Sequence, residues 1–127
     1  MGQALARELA GGRVELAHSV TLIAYDLALA VGMPTVRGSI LDPAALRAAL
    51  AGVDAVIHCA TVVDWSDLHE DRLEEVNVRG TQVVLDACVA AGVRVFVHTS
   101  TMDVLCGDGS VFDATDDAPY PRRFLDA

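Results

Sequence analysis

The sequence predicts an α/β layered fold built on an open parallel sheet, and three observations carry that reading. Segments of helical period alternate with short strand-like apolar runs along the chain. Capping and stopping residues stand where the pattern changes. One segment also echoes another forty residues away: AGVDAVIHCAT at 51–61 and AGVRVFVHTST at 91–101. In both, a helix end and a glycine lead into a strand that delivers a histidine, then small or hydroxyl residues, at its C-terminal end. Ligands of an open parallel sheet bind beyond such ends.

In chain order, residues 3–9 read as a short helix stopped by Gly11 and Gly12. Residues 20–25 and 36–39 read as strands. DPAALRAALAG is a helix with Asp42 as its N-cap, Pro43 at its first position and Gly52 as its stop. Residues 53–60 form the next strand. A long helix is expected from 68 to 91, with Leu73, Val76, Gly80, Val84, Ala87 and Ala91 on one face and Glu74, Glu75, Arg79, Gln82 and Asp86 in water. Gly92 ends it, the strand VRVFVHTST follows, and beyond Leu105 the pattern dissolves into a Gly, Asp and Pro-rich loop.

The totals bound the function. With 127 residues there is room for one domain and one core. Nine Lys plus Arg against eighteen Asp plus Glu leave a net charge of -9, the wrong sign for nucleic acid or an anionic membrane surface. Cys59, Cys88 and Cys106 have neither zinc-site nor disulfide-framework spacing, so no metal is expected and reduced thiols point to the cytoplasm. The greasiest window, 18–36, carries Asp26, Gly32 and Pro34, and is expected to be strand rather than a membrane span.

The runs VRGSILDPAALRAALAGVDAVIHCAT and NVRGTQVVLDACVAAGVRVFVHTST resemble the extended short-chain dehydrogenase/reductase family, most of all its 3β-hydroxysteroid dehydrogenase/isomerase branch. The carriers are the H-x-A after the strand at 53–60, the N-V-x-G-T of the following helix, and the Thr-Ser-Thr-x-acid-Val at the last strand. The resemblance implies a Rossmann-like doubly wound parallel sheet lacking its first strand and its C-terminal part. Residues 1–127 would be a partial NAD(P)-binding domain, with 106–127 a substrate-side loop region.

Carried over by position, the resemblance gives Thr101 the place of the catalytic Ser/Thr, a donor to the reacting substrate oxygen. Asn77 takes the place of the helix Asn, where a catalytic-support role and a structural role satisfying a buried backbone group both stay open, and Asp103 the acidic position. Cys59, Ala60 and Thr61 take the turn along the cofactor, and Thr99 is a further cofactor position. Gly2 corresponds to the last glycine of the fingerprint. Asp26 is placed to accept the adenosine ribose hydroxyls, which favours NAD and leaves NADP open. Ser39 stands where the family has an adenine-contacting Asp, so the adjoining Ile40 carries over through its backbone alone. The implied activity is hydride transfer from a secondary alcohol of a sterol-like small molecule, and the full-length form leaves room for a homodimer. A non-catalytic dinucleotide-sensing module and a nucleotide-sugar epimerase or dehydratase stay open as alternatives.

The departures carry weight too. The family's Tyr-x-x-x-Lys should follow the PYP segment, and Tyr120 has Phe124 in place of the lysine. Without that base, little turnover is expected of these residues alone. The absent first strand would stand between those near 20 and 55, leaving about 5 Å of spacing on each side of its place and two facing edges or a closed-up sheet. His58 and His98 read as hydrogen-bonded core residues, Gly80 as a site of close helix packing, and Trp65 and Phe112 either as contacts for a flat apolar substrate or as locally packed side chains.

Overall fold

A computed structural model describes residues 2–11, 20–28, 30, 32–63, 70–107, 115 and 117–122. Helix α1 spans Gly2–Ala10 and is followed by strands β1, Ala24–Asp26, and β2, Thr35–Arg37. Helix α2 is Pro43–Ala49 and strand β3 is Ala55–His58. The expected long helix is divided: α3 covers Glu70–Leu73, a π-helical turn covers Glu74–Gly80, and α4 covers Thr81–Ala91. Strand β4, Val95–His98, leads into a 3₁₀ turn at Met102–Leu105. Residues 68 and 69 of the expected helix, Trp65, Phe112 and most of 106–127 lie outside the described residues.

Both ladders among the described residues are parallel. Ala24, Tyr25 and Asp26 pair with Thr35, Val36 and Arg37, while Ala55 to His58 pair in order with Val95 to His98. Among the described residues no ladder joins β1 to β3, so the strands form two separate pairs. Of the two expected outcomes, facing edges or a closed-up sheet, the described residues show no closure.

The local chemistry explains the elements. Asp42 Oδ1 accepts the N–H groups of Ala44 and Ala45, both at 3.0 Å, which caps α2 ahead of Pro43. α4 ends at Gly92, whose φ of 74° is left-handed and whose N–H reaches the carbonyls of Cys88 and Val89. α2 stops slightly before the expected glycine, with Leu50 as its C-cap, although Gly52 is left-handed as well.

Leu46 and Leu50 of the α2 region pack against Val84, Ala87 and Cys88 of α4. Tyr25, Ile40, Val53, Val56, Val83, Val93 and Phe96 surround them, so strands from both pairs contribute to one core. The expected water-facing residues Glu74, Glu75, Arg79, Gln82 and Asp86 are exposed, and Gly80, Val84 and Ala87 are buried. Ala91 departs from its expected face and is exposed, because it is the last helical residue and lies beyond the packed stretch, while Cys88 is buried instead.

Gly80 is where the helix approaches most closely. A Cβ there would stand 2.6 Å from Ile40 Cδ1, so only glycine lets the π-helical turn lie against the segment leaving β2. The expected close packing is thus present, against the strand's exit rather than the strand. The opposite face of the β3–β4 pair is bare: Ile57, Val95 and Val97 are 44%, 52% and 46% exposed.

Candidate functional site at the strand ends

The expected site residues follow the C-terminal ends of the parallel strands. Asp26 ends β1, Ser39 and Ile40 follow β2, Cys59 to Thr61 follow β3, and Thr99 to Thr101 follow β4. A strand's last carbonyls and the turn after it are the positions from which an open sheet offers polar groups to a ligand.

Cys59, Ala60 and Thr61 are held from two sides. The first residue of α1 lies beside them, since a Cβ on Gly2 would be 3.6 Å from Cys59 Cβ. From the other side, the Asn77 side chain pairs with Val62 as a neighbouring strand would. Its Nδ2 donates to the Val62 carbonyl at 2.8 Å, and its Oδ1 accepts the Val62 N–H at 2.8 Å. The Thr61 hydroxyl donates to the same Oδ1 at 3.1 Å. Asn77 is therefore a clamp, with both bonds of its Oδ1 and one N–H of its Nδ2 given to positioning the turn.

His58, 4% exposed, sits at the base of this arrangement with Nε2 3.0 Å from Thr81 Oγ1. Burial, and then the neighbouring His98, pull its pKa below the ordinary imidazole value. The two rings stack at 5.3 Å and 20° because the register places them side by side. His98 corrects the expectation that both histidines are buried. It is exposed, with its ring stacked on those of His58 and Phe96.

Thr99 closes the strand pair: its N–H and its hydroxyl both donate to the His58 carbonyl at 3.1 Å. Ser39 Oγ accepts the Leu41 N–H at 3.2 Å, and its carbonyl accepts the Tyr25 hydroxyl at 2.9 Å. Burial, with Asp42 as the lesser cause, raises the Tyr25 pKa, so that hydroxyl keeps its proton. Ile40 turns its side chain into the core. Asp26 is exposed, and its Oδ1 accepts the Ala28 N–H at 3.0 Å.

Thr101 caps the 3₁₀ turn, accepting the Asp103 N–H at 3.2 Å and donating its proton to Asp103 Oδ2 at 2.7 Å. The structure thus joins Gly2 to Cys59 and Thr61 to Asn77, whereas Asp26 and Thr101 bond within their own turns. Thr81 and Val62 are the participants that sequence reasoning missed. The available signal for Thr81 was its place four residues after Asn77, one helical turn along the same face.

Known proteins share this fold. A short-chain dehydrogenase/reductase superfamily protein from Agrobacterium tumefaciens, solved with bound NAD, is 35% identical, with a TM-score of 0.75 over 94% of this chain and 34% of its own. The dTDP-glucose 4,6-dehydratase DesIV from Streptomyces venezuelae, solved with NAD and TYD, is 29% identical, with a TM-score of 0.79 over 94% of this chain and 41% of its own. These neighbours establish the Rossmann-like short-chain dehydrogenase/reductase fold. The 3 beta-hydroxysteroid dehydrogenase type 7 of Rattus norvegicus is 40% identical over 76 residues, 59% of this chain and 22% of that protein. The chain spans about a quarter of the length of the curated relatives it matches. The profile of one family covers residues 18–127, and on that match the chain belongs to the 3-beta hydroxysteroid dehydrogenase/isomerase family.

Proposed function

We propose that these residues form the cofactor-side part of an NAD-dependent oxidoreductase that oxidises a secondary alcohol of a sterol-like substrate. One observation carries the reading: the turn at 59–61 is held against the first turn of α1 on one side and clamped by Asn77 on the other. The polar groups present fit a dinucleotide. The N–H groups opening α1 suit a pyrophosphate, and the exposed Asp26 carboxylate keeps Oδ2 available for ribose hydroxyls among the described residues. When bound, the nicotinamide supplies a hydride acceptor. Among the described residues no helix is long and apolar enough to cross a membrane.

Thr101 is the residue on the substrate oxygen. In the structure its O–H bonds to Asp103 Oδ2 and its oxygen accepts the Asp103 N–H, so the hydroxyl proton of a substrate alcohol is left to the general base. Rotation away from Asp103 would turn the same group into a donor toward a carbonyl oxygen. The general base belongs to the Tyr-x-x-x-Lys expected after these residues. In steady-state assays of the full-length form with NAD, 3β-hydroxysterols should be oxidised, and Thr101→Val should lower kcat about a hundredfold. Turnover of nucleotide sugars instead of sterols would establish the second reading, an epimerase or dehydratase, which the likeness to DesIV favours.

A further inference from the structure

Two hydrogen bonds meet on the Thr81 hydroxyl, and together they leave His58 one arrangement of its proton. Thr81 Oγ1 is 2.6 Å from the Asn77 carbonyl oxygen, which can only accept, so the single hydroxyl proton points there. His58 Nε2 lies 3.0 Å from the same Oγ1, whose proton is already committed. The imidazole must therefore donate from Nε2. That choice of nitrogen is the kind of constraint by which a second group fixes an imidazole tautomer.

We propose that His58 is a positioning residue of the site: from Nε2 it steers the Thr81 hydroxyl onto the Asn77 carbonyl and so holds the π-helical turn from which Asn77 grips Thr61 and Val62. The connection leaves the chain at the last residue of β3, passes through Thr81 and Asn77, and returns to β3's own exit four residues later. The geometry of 59–61 is thereby set from a buried side chain, through Thr81 and Asn77. Protonation would add a donor at Nδ1 without breaking the Nε2 bond, so the device is an anchor rather than a switch. Its consequence for cofactor binding rests on the proposed reading of 59–61, but the connection itself does not.

The test begins with the unaltered 127-residue chain. Nitrogen-15 NMR of the imidazoles at neutral pH should show His58 protonated at Nε2 and bare at Nδ1. A proton on Nδ1 with Nε2 bare overturns the proposal. Amide exchange then reads the far end of the connection. The Val62 N–H should lose protection roughly five- to tenfold in His58→Phe and in Thr81→Val, the worth of one hydrogen bond. His58→Gln, which carries a donor near the Nε2 position, should restore it. Unchanged Val62 protection in folded His58→Phe overturns the connection, as does equal loss in the Phe and Gln variants. Neither readout involves a dinucleotide, so failure here is distinct from failure of the cofactor reading.

Discussion

His58 makes stability at the site depend on pH, and the sign follows from its depressed pKa. The unfolded chain takes up the proton first as the pH falls, because its imidazole keeps the ordinary value of about 6.5, whereas the folded one is lowered by burial and by His98. The contribution is complete above the unfolded value and is lost as the pH falls from there through the folded value. Urea midpoints should drop through this window in the wild type, and the difference from His58→Gln should remove the carboxylate background. Gly80 is the second residue whose identity decides the local structure. Gly80→Ala gains helix propensity of about 1 kcal/mol, yet its methyl would meet Ile40 Cδ1. Overpacking of about 1–3 kcal/mol should outweigh that gain. Adding Ile40→Val, which deletes Cδ1, should recover most of the loss in a double-mutant cycle measured by urea unfolding.

Between elements, the clamp of the π-helical turn on the exit of β3 matters more than the ion pair that joins β3 and β4 at their entry. Arg94 and Asp54 occupy matching positions of the internal echo and bond at 2.8 Å, but their side chains are 77% and 78% exposed. Such a pair is worth about 0–1 kcal/mol. Asn77→Ala instead strands the N–H and carbonyl of Val62, and should cost about 1–3 kcal/mol in urea unfolding. Capping residues made α2 and the end of α4 legible, because Asp42 and Gly92 act through their own backbone neighbourhoods. The π-helical turn was not legible. EEVNVRG has the hydropathy of an ordinary helix, and the wider turn arises where Gly80 seats on Ile40 and Asn77 reaches Val62, both contacts with distant segments. The echo at 51–61 and 91–101 anticipated paired strands with matching ends, but not that one histidine would be covered by Thr81 and the other left exposed.

For the molecule as a whole, area is the informative quantity. Its accessible surface is 9915 Å², against about 6,500 Å² for a compact monomer of this size. Parallel strands are normally covered on both faces, and here Ile57, Val95 and Val97 form a bare apolar strip. The 127-residue chain should therefore enhance the fluorescence of anilinonaphthalene sulfonate in native buffer, and Ile57→Thr with Val97→Thr should reduce that signal. A dark dye would mean that the strip is covered in solution.

Sequence by itself determined where helices and strands fall, though not the π-helical turn or the shorter extent of the strands, together with the parallel α/β class and the placing of hydroxyl, amide and acidic residues at strand ends. These follow from short-range periodicity and from caps that act over a few bonds. Only the tertiary structure decided that the ladders separate into two pairs, that Asn77 is occupied as a clamp, that Thr101 gives its proton to Asp103, and that His58 donates from Nε2. Each of these depends on which polar group lies within about 3 Å of another, and for most of them the partners are brought together only by packing the helices onto the strands.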